Sequence, residues 1–186
     1  MTISPKVGLS LLAAGLSAIV VPAAHARPAK APPTAATETT TSFATMGDIP
    51  APSKAELEAF RKATQALYTL KEQAFAQGAA DPIVKRFYAN NALSVTPEGK
   101  VEQGRAAFTE TYNKIVPQYN VKVVPYNTYV NGSAGWDWAT FYVTPKDSSS
   151  SEKPFSFAIL FLWTKVSGRW VCAGDIYVLG SFQATQ

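Results

Sequence analysis

The sequence predicts an α+β domain in which helices cover one face of a strongly curved antiparallel sheet, closing a cone with an apolar interior. Three observations lead there. Helical patterns are grouped ahead of a run of long strand patterns, in the order helix, helix, short hairpin, helix, then four strands. The last two strands, Phe155 to Trp163 and Trp170 to Leu179, are joined by a short turn at Val166 to Arg169 and are rich in aromatic and β-branched residues. Alternation places Phe155, Phe157, Ile159, Phe161 and Trp163 on one face and Ala158, Leu160 and Leu162 on the other, so neither face of this strand is written for water. At ~1.5–3 kcal/mol for each large apolar side chain, burial of the first face alone favours folding by roughly 10 kcal/mol before entropy is counted.

In chain order, Lys6 followed by the apolar run Val7 to Val21 and the small-residue pattern Ala24-His25-Ala26 reads as a secretory signal over residues 1–26. The run is shorter than the roughly 20 residues that span a bilayer, so cleavage is expected to leave no membrane anchor. A secreted or periplasmic chain starting at Arg27 is expected. Residues 27–52, rich in Pro, Ala and Thr, read as a disordered linker, and residues 53–186 as the domain.

Ser53 and Glu56 have capping-box spacing, and Leu57, Phe60, Leu67, Leu70 and Ala74 recur at helical intervals up to Gly78, an expected C-terminal cap. Asp81 and Pro82 predict the cap and first position of a second helix through Tyr88, ended at Asn90 and Asn91. Ala92 to Thr96 reads as a short strand turning at Pro97 to Lys100 into Val101 and Glu102, and Gly104 begins a third helix that stops at Pro117. Val121 to Val130 and Trp136 to Thr144 are strands joined at Asn131-Gly132, and Pro145 to Lys153 is a solvated loop.

Composition narrows the chemistry. The net charge of +4 is modest and the basic residues are scattered, so no nucleic-acid partner is expected. The one histidine, His25, lies in the segment to be removed, leaving no histidine base, triad or metal ligand in the mature chain. Cys172 is the only cysteine and reads as a small buried apolar side chain. No glycine loop cradles phosphate, and neither metal nor cofactor is expected.

Asp175 is the most informative polar residue, because it interrupts the apolar run of the last strand. Inside the cone, desolvation would raise its pKa and suit it to proton transfer. On the outer face it would pair with a neighbouring lysine or be solvated at a dimer rim. Asp137, between Trp136 and Trp138, could complete a carboxylate pair opposite Asp175, but beside the Asn131-Gly132 turn it reads as a turn residue. Trp138, Trp163 and Trp170 are candidates for a pocket or a core, and Tyr68, Tyr88 and Tyr177 for donors to a ligand.

Phe87 to Gly99 (FYANNALSVTPEG), Gly104 to Phe108 (GRAAF) and Gly168 to Tyr177 (GRWVCAGDIY) together resemble the nuclear-transport-factor-2-like superfamily, closest to its SnoaL-like and ketosteroid-isomerase-like domains. The resemblance runs from about Ser53 to Phe182. It implies the conical, cystatin-like α+β barrel, a pocket in the cone and a homodimer through the outer sheet face. It also places Thr96 where the isomerases carry a proton-shuttling aspartate, and Tyr68 on the helix that carries their oxyanion tyrosine, about one turn out of register. Polyketide-cyclase relatives use histidine, which the mature chain lacks. The leading expectation is therefore an exported domain holding a small apolar molecule, with Tyr68, Tyr88, Thr96, Trp138, Trp163 and Tyr177 lining the pocket. The alternatives are an isomerase- or cyclase-like enzyme using Asp175 for proton transfer, and a structural dimerisation module with a filled cone.

Overall fold

The computed structural model describes residues 49–182. The expected signal segment, His25 and most of the expected linker lie outside them. Helix α1 spans Lys54–Gln77. Its interior holds no Gly or Pro, and the Ser53 hydroxyl accepts the Glu56 N–H at 3.2 Å. Only half of the expected capping box forms. The Glu56 carboxylate instead accepts the Gly132 N–H at 2.6 Å, pinning the helix start to a distant turn. At the other end Gly78 sits at φ 71°, a left-handed value that glycine adopts without a Cβ penalty, and closes the helix on Ala74 and Phe75.

The second helix is shorter than its sequence pattern suggests. It is a single π-helical turn, Ile83–Phe87, and strand β1 (Tyr88–Val95) begins where the helix was expected to continue. Asp81 does not cap it: its carboxylate binds Lys85 one turn on, at 2.5 Å. Strand β2 is Val101–Gln103 and helix α2 is Gly104–Ile115. The long strands β3 (Tyr119–Asn131), β4 (Ala134–Pro145), β5 (Phe155–Val166) and β6 (Arg169–Leu179) follow.

One six-stranded sheet results, in the order β2-β1-β6-β5-β4-β3. It is antiparallel except where β1 runs parallel to β6. Two bulges bend it. Tyr126 is the extra residue in β3 and Ala173 the extra residue in β6. Each reverses the inside-outside parity of its strand: Val123 and Val130, an odd number of residues apart, are both buried, as are Cys172 and Asp175.

The core lies between the helices and the inner sheet face. One end of the cone is filled by Tyr68, Phe87, Phe161 and Trp163, whose ring centroids lie 5.3–6.4 Å apart. Lys146, at the end of β4, donates to the carbonyls of Phe75 and Val116 and so ties together the C-terminal ends of α1 and α2.

Candidate functional site

Beyond the aromatic plug the cone stays open as a cavity of about 90 Å³. Phe75, Phe108, Phe141 and Ile159 form apolar walls, Lys71, Tyr88, Ser94, Tyr112 and Asp175 a polar floor, and the half-buried Glu102, Thr111, Ile115, Phe157 and Tyr177 the mouth. Smaller than the ~150 Å³ apolar cavity known to take benzene, it encloses a polar head of a ligand more readily than a whole one.

The floor is one connected network. Asp175 receives the Ser94 hydroxyl at 2.5 Å on one oxygen and the Tyr88 hydroxyl at 2.6 Å on the other. Because Tyr88 gives its only proton to Asp175, Tyr112, 2.9 Å away, donates to Tyr88. Lys71 donates to Tyr88 as well, at 3.0 Å. Its ammonium otherwise meets aromatic faces, with the rings of Phe87, Tyr88, Tyr112, Phe161 and Phe141 at 4.2–5.4 Å.

Burial dominates the electrostatics. It raises the carboxyl of Asp175, opposed by the charge of Lys71 and the hydrogen bonds from Ser94 and Tyr88. It lowers Lys71 to about 8, opposed by Asp175 and Cys172. Tyr88 and Tyr112 are pushed well above the usual phenol range, first by burial and then by Asp175, so both remain donors at neutral pH. Tyr177 is pushed up to about 12 by the same two causes.

Of the seven residues expected at the site, Asp175, Tyr88 and Tyr177 line the cavity and four others do not. Thr96 sits in the turn after β1, where its hydroxyl accepts the Lys100 N–H; two residues earlier, Ser94 is the β1 side chain that reaches Asp175. Trp138 points outward, because its neighbours Asp137 and Ala139 take the inward positions of β4, and it packs against Phe182. Tyr68 and Trp163 belong to the plug. The Tyr68 hydroxyl is spent on Asp137, at 2.7 Å.

Asp137 itself corrects its reading as a turn residue. It is wholly buried, its carboxyl raised by burial and opposed by Tyr68 first and then by Thr128, Thr64 and Trp163 nearby. Among the described residues, neither its second oxygen nor the buried indole N–H of Trp163 has a partner within full hydrogen-bond geometry.

Lys71 was missed because lysine on an amphipathic helix reads as solvated. The spacing did carry a signal. Phe60, Thr64, Tyr68, Lys71 and Phe75 recur at steps of four and three, which puts the lysine inside the buried stripe of α1.

No family model and no curated protein matches this chain. Solved structures do resemble it. A ketosteroid isomerase-like protein from Erwinia carotovora atroseptica superposes with a TM-score of 0.55 at 17% identity, covering 70% of this chain and 100% of that one. An NTF-2 like protein of unknown function from Shewanella oneidensis gives 0.55 at 15%, covering 63% and 98%. A domain of unknown function with a cystatin-like fold from Nostoc punctiforme gives 0.54 at 17%, covering 70% and 81%. These likenesses show the fold, a nuclear-transport-factor-2-like cone.

Proposed function

We propose that the cone binds a small molecule with an apolar body and a single hydrogen-bond-accepting head. The observation that carries this reading is the unspent capacity of Lys71: one hydrogen bond to Tyr88, and two N–H groups facing rings at the floor of an apolar cavity. An acceptor entering from the mouth would take those donors while its body lay against Phe75, Phe108 and Ile159. A rigid four-ring body is too large to be enclosed by the cavity as it stands, so a compact head with the remainder in the mouth is the better fit.

Native mass spectrometry of protein purified from its own compartment, followed by titration with cyclohexanone as a compact probe, tests the reading. A co-purifying molecule or saturable uptake of the probe is expected. An empty protein that takes up none would sink it. In this proposal the exported form begins at Arg27, as N-terminal sequencing of protein recovered outside the cytoplasm would read.

A second reading is proton-transfer catalysis, favoured by the contact between the raised carboxyl of Asp175 and Tyr88 inside the cavity. Asp175→Asn keeps the size of the side chain and removes its basicity. Any isomerase- or cyclase-type turnover found for this protein should fall by about 100-fold or more in that variant, and retained turnover would end the assignment.

A further inference from the structure

A lysine present only to neutralise Asp175 would be expected to touch it, yet here the two charges are held apart by the Tyr88 hydroxyl, 3.0 Å from the amine and 2.6 Å from the carboxylate. The amine is thereby connected to a proton acceptor through one hydroxyl and, among the described residues, presented to the cavity with no further acceptor. We infer that Lys71 is a nucleophile that condenses with the carbonyl group of an aldehyde or ketone held in the cone, forming an imine. The inference rests on the small-molecule reading above and names its ligand class. A neutral carbonyl suits the site better than a carboxylate, because a second anion next to Asp175 in so little water would be repelled.

The step balances without any further reagent. The neutral amine forms a bond to the carbonyl carbon, and the carbonyl π pair moves to oxygen. The proton leaving nitrogen is taken by Tyr88 as Tyr88 passes its own to Asp175; the new alkoxide is protonated by Tyr112, which recovers a proton from Tyr88 as Asp175 returns the one it took, so every group of the chain ends as it began. The carbinolamine then loses its hydroxyl as water, assisted by the same chain of protons, and a carbon–nitrogen double bond remains. Nothing is oxidised or reduced.

Burial supports the nucleophile. Lys71 is lowered to about 8, so a neutral amine is available at mildly basic pH. The groups facing it are Tyr88 from β1, Tyr112 from α2, Cys172 and Asp175 from β6 and Glu102 from β2 at the mouth, with Tyr68 one turn back along α1 and its partner Asp137 on β4.

Reductive trapping tests the inference. The full chain is incubated with cyclohexanone and cyanoborohydride across pH, and modified lysines are mapped by peptide mass spectrometry. One adduct per chain is expected, on Lys71, appearing with a midpoint at pH about 8 and lost in Lys71→Arg. Adducts spread over the exposed Lys54, Lys85 and Lys114 with Lys71 unmodified would overturn it. The mapping on the unaltered protein decides this even if the variant fails to fold. Saturation-transfer NMR on the same mixture without reductant separates the two readings. A bound ketone with Lys71 unmodified overturns the condensation and leaves the binding site standing, whereas no bound ketone and no adduct overturns both.

Discussion

The buried ionisable side chains give the fold a pH signature of opposing signs. Lys71, at about 8 in the folded protein, lies below the ~10.4 of a free lysine. The native state therefore holds this proton less firmly than the unfolded chain. The contribution of Lys71 to stability is complete above the unfolded value and is lost as pH falls through about 8, a loss of about 3 kcal/mol at neutrality. Asp137 and Asp175 are raised, so theirs is complete below ~3.9 and lost as pH rises through their folded values. The Cys172 thiol is also raised by burial, and its contribution is lost as pH rises above ~8.5. Because this opposes Lys71 in the same window, the informative quantity is the difference between the unaltered protein and Lys71→Met, in which the thiol largely cancels. Measured by urea denaturation, the unaltered protein should gain about 1 kcal/mol on the variant between pH 7 and 9. Parallel curves would show that the amine is solvated in the folded state.

Among the elements, β6 does most to build the site, and its placement depends on a close approach of backbones. A Cβ on Gly174 would lie 2.6 Å from the Leu93 carbonyl oxygen, inside the parallel contact that brings Ser94 to Asp175. Gly174→Ala should cost about 1–3 kcal/mol in chemical denaturation and weaken probe uptake; a variant as stable as the parent would show that β1 and β6 have room to spare. How much of this was legible in the sequence differs by residue. Strands β3 to β6, the caps of α1 and the apolar faces of β5 follow from local pattern, because alternation and cap chemistry are properties of neighbouring residues. Even there the β3–β4 turn has Gly132 and Ser133 at its centre, not Asn131-Gly132, and only Gly132 has positive φ. The inward placement of Asp175 is not legible in the sequence because a bulge at Ala173 decides it, and nothing local distinguishes that alanine. Trp138 and Asp137 are misread for a related reason, since in a bent sheet one step along a strand exchanges inside for outside, whereas Thr96 fails because β1 ends at Val95 and leaves it in the turn.

At the scale of the whole molecule, the outer sheet face is unusually apolar. Leu162, Ile176 and Val178 are 47%, 47% and 55% exposed on adjoining strands. A face of this kind on a soluble protein invites a partner. We propose that a second copy covers it, since its two-sided apolar strand β5 has one side in the core and needs the other covered. Light scattering should give a dimer, and Leu162→Lys with Ile176→Lys a monomer with unchanged far-UV circular dichroism. A monomer from the unaltered chain at tens of micromolar would count against it, at the ~800 Å² per partner a stable interface requires. The extra residue at Ala173 then has an evolutionary meaning. Gain or loss of one residue in β6 would carry the carboxylate of Asp175 between the cavity and the outer sheet face in a single event, a change for which point substitution needs at least two positions.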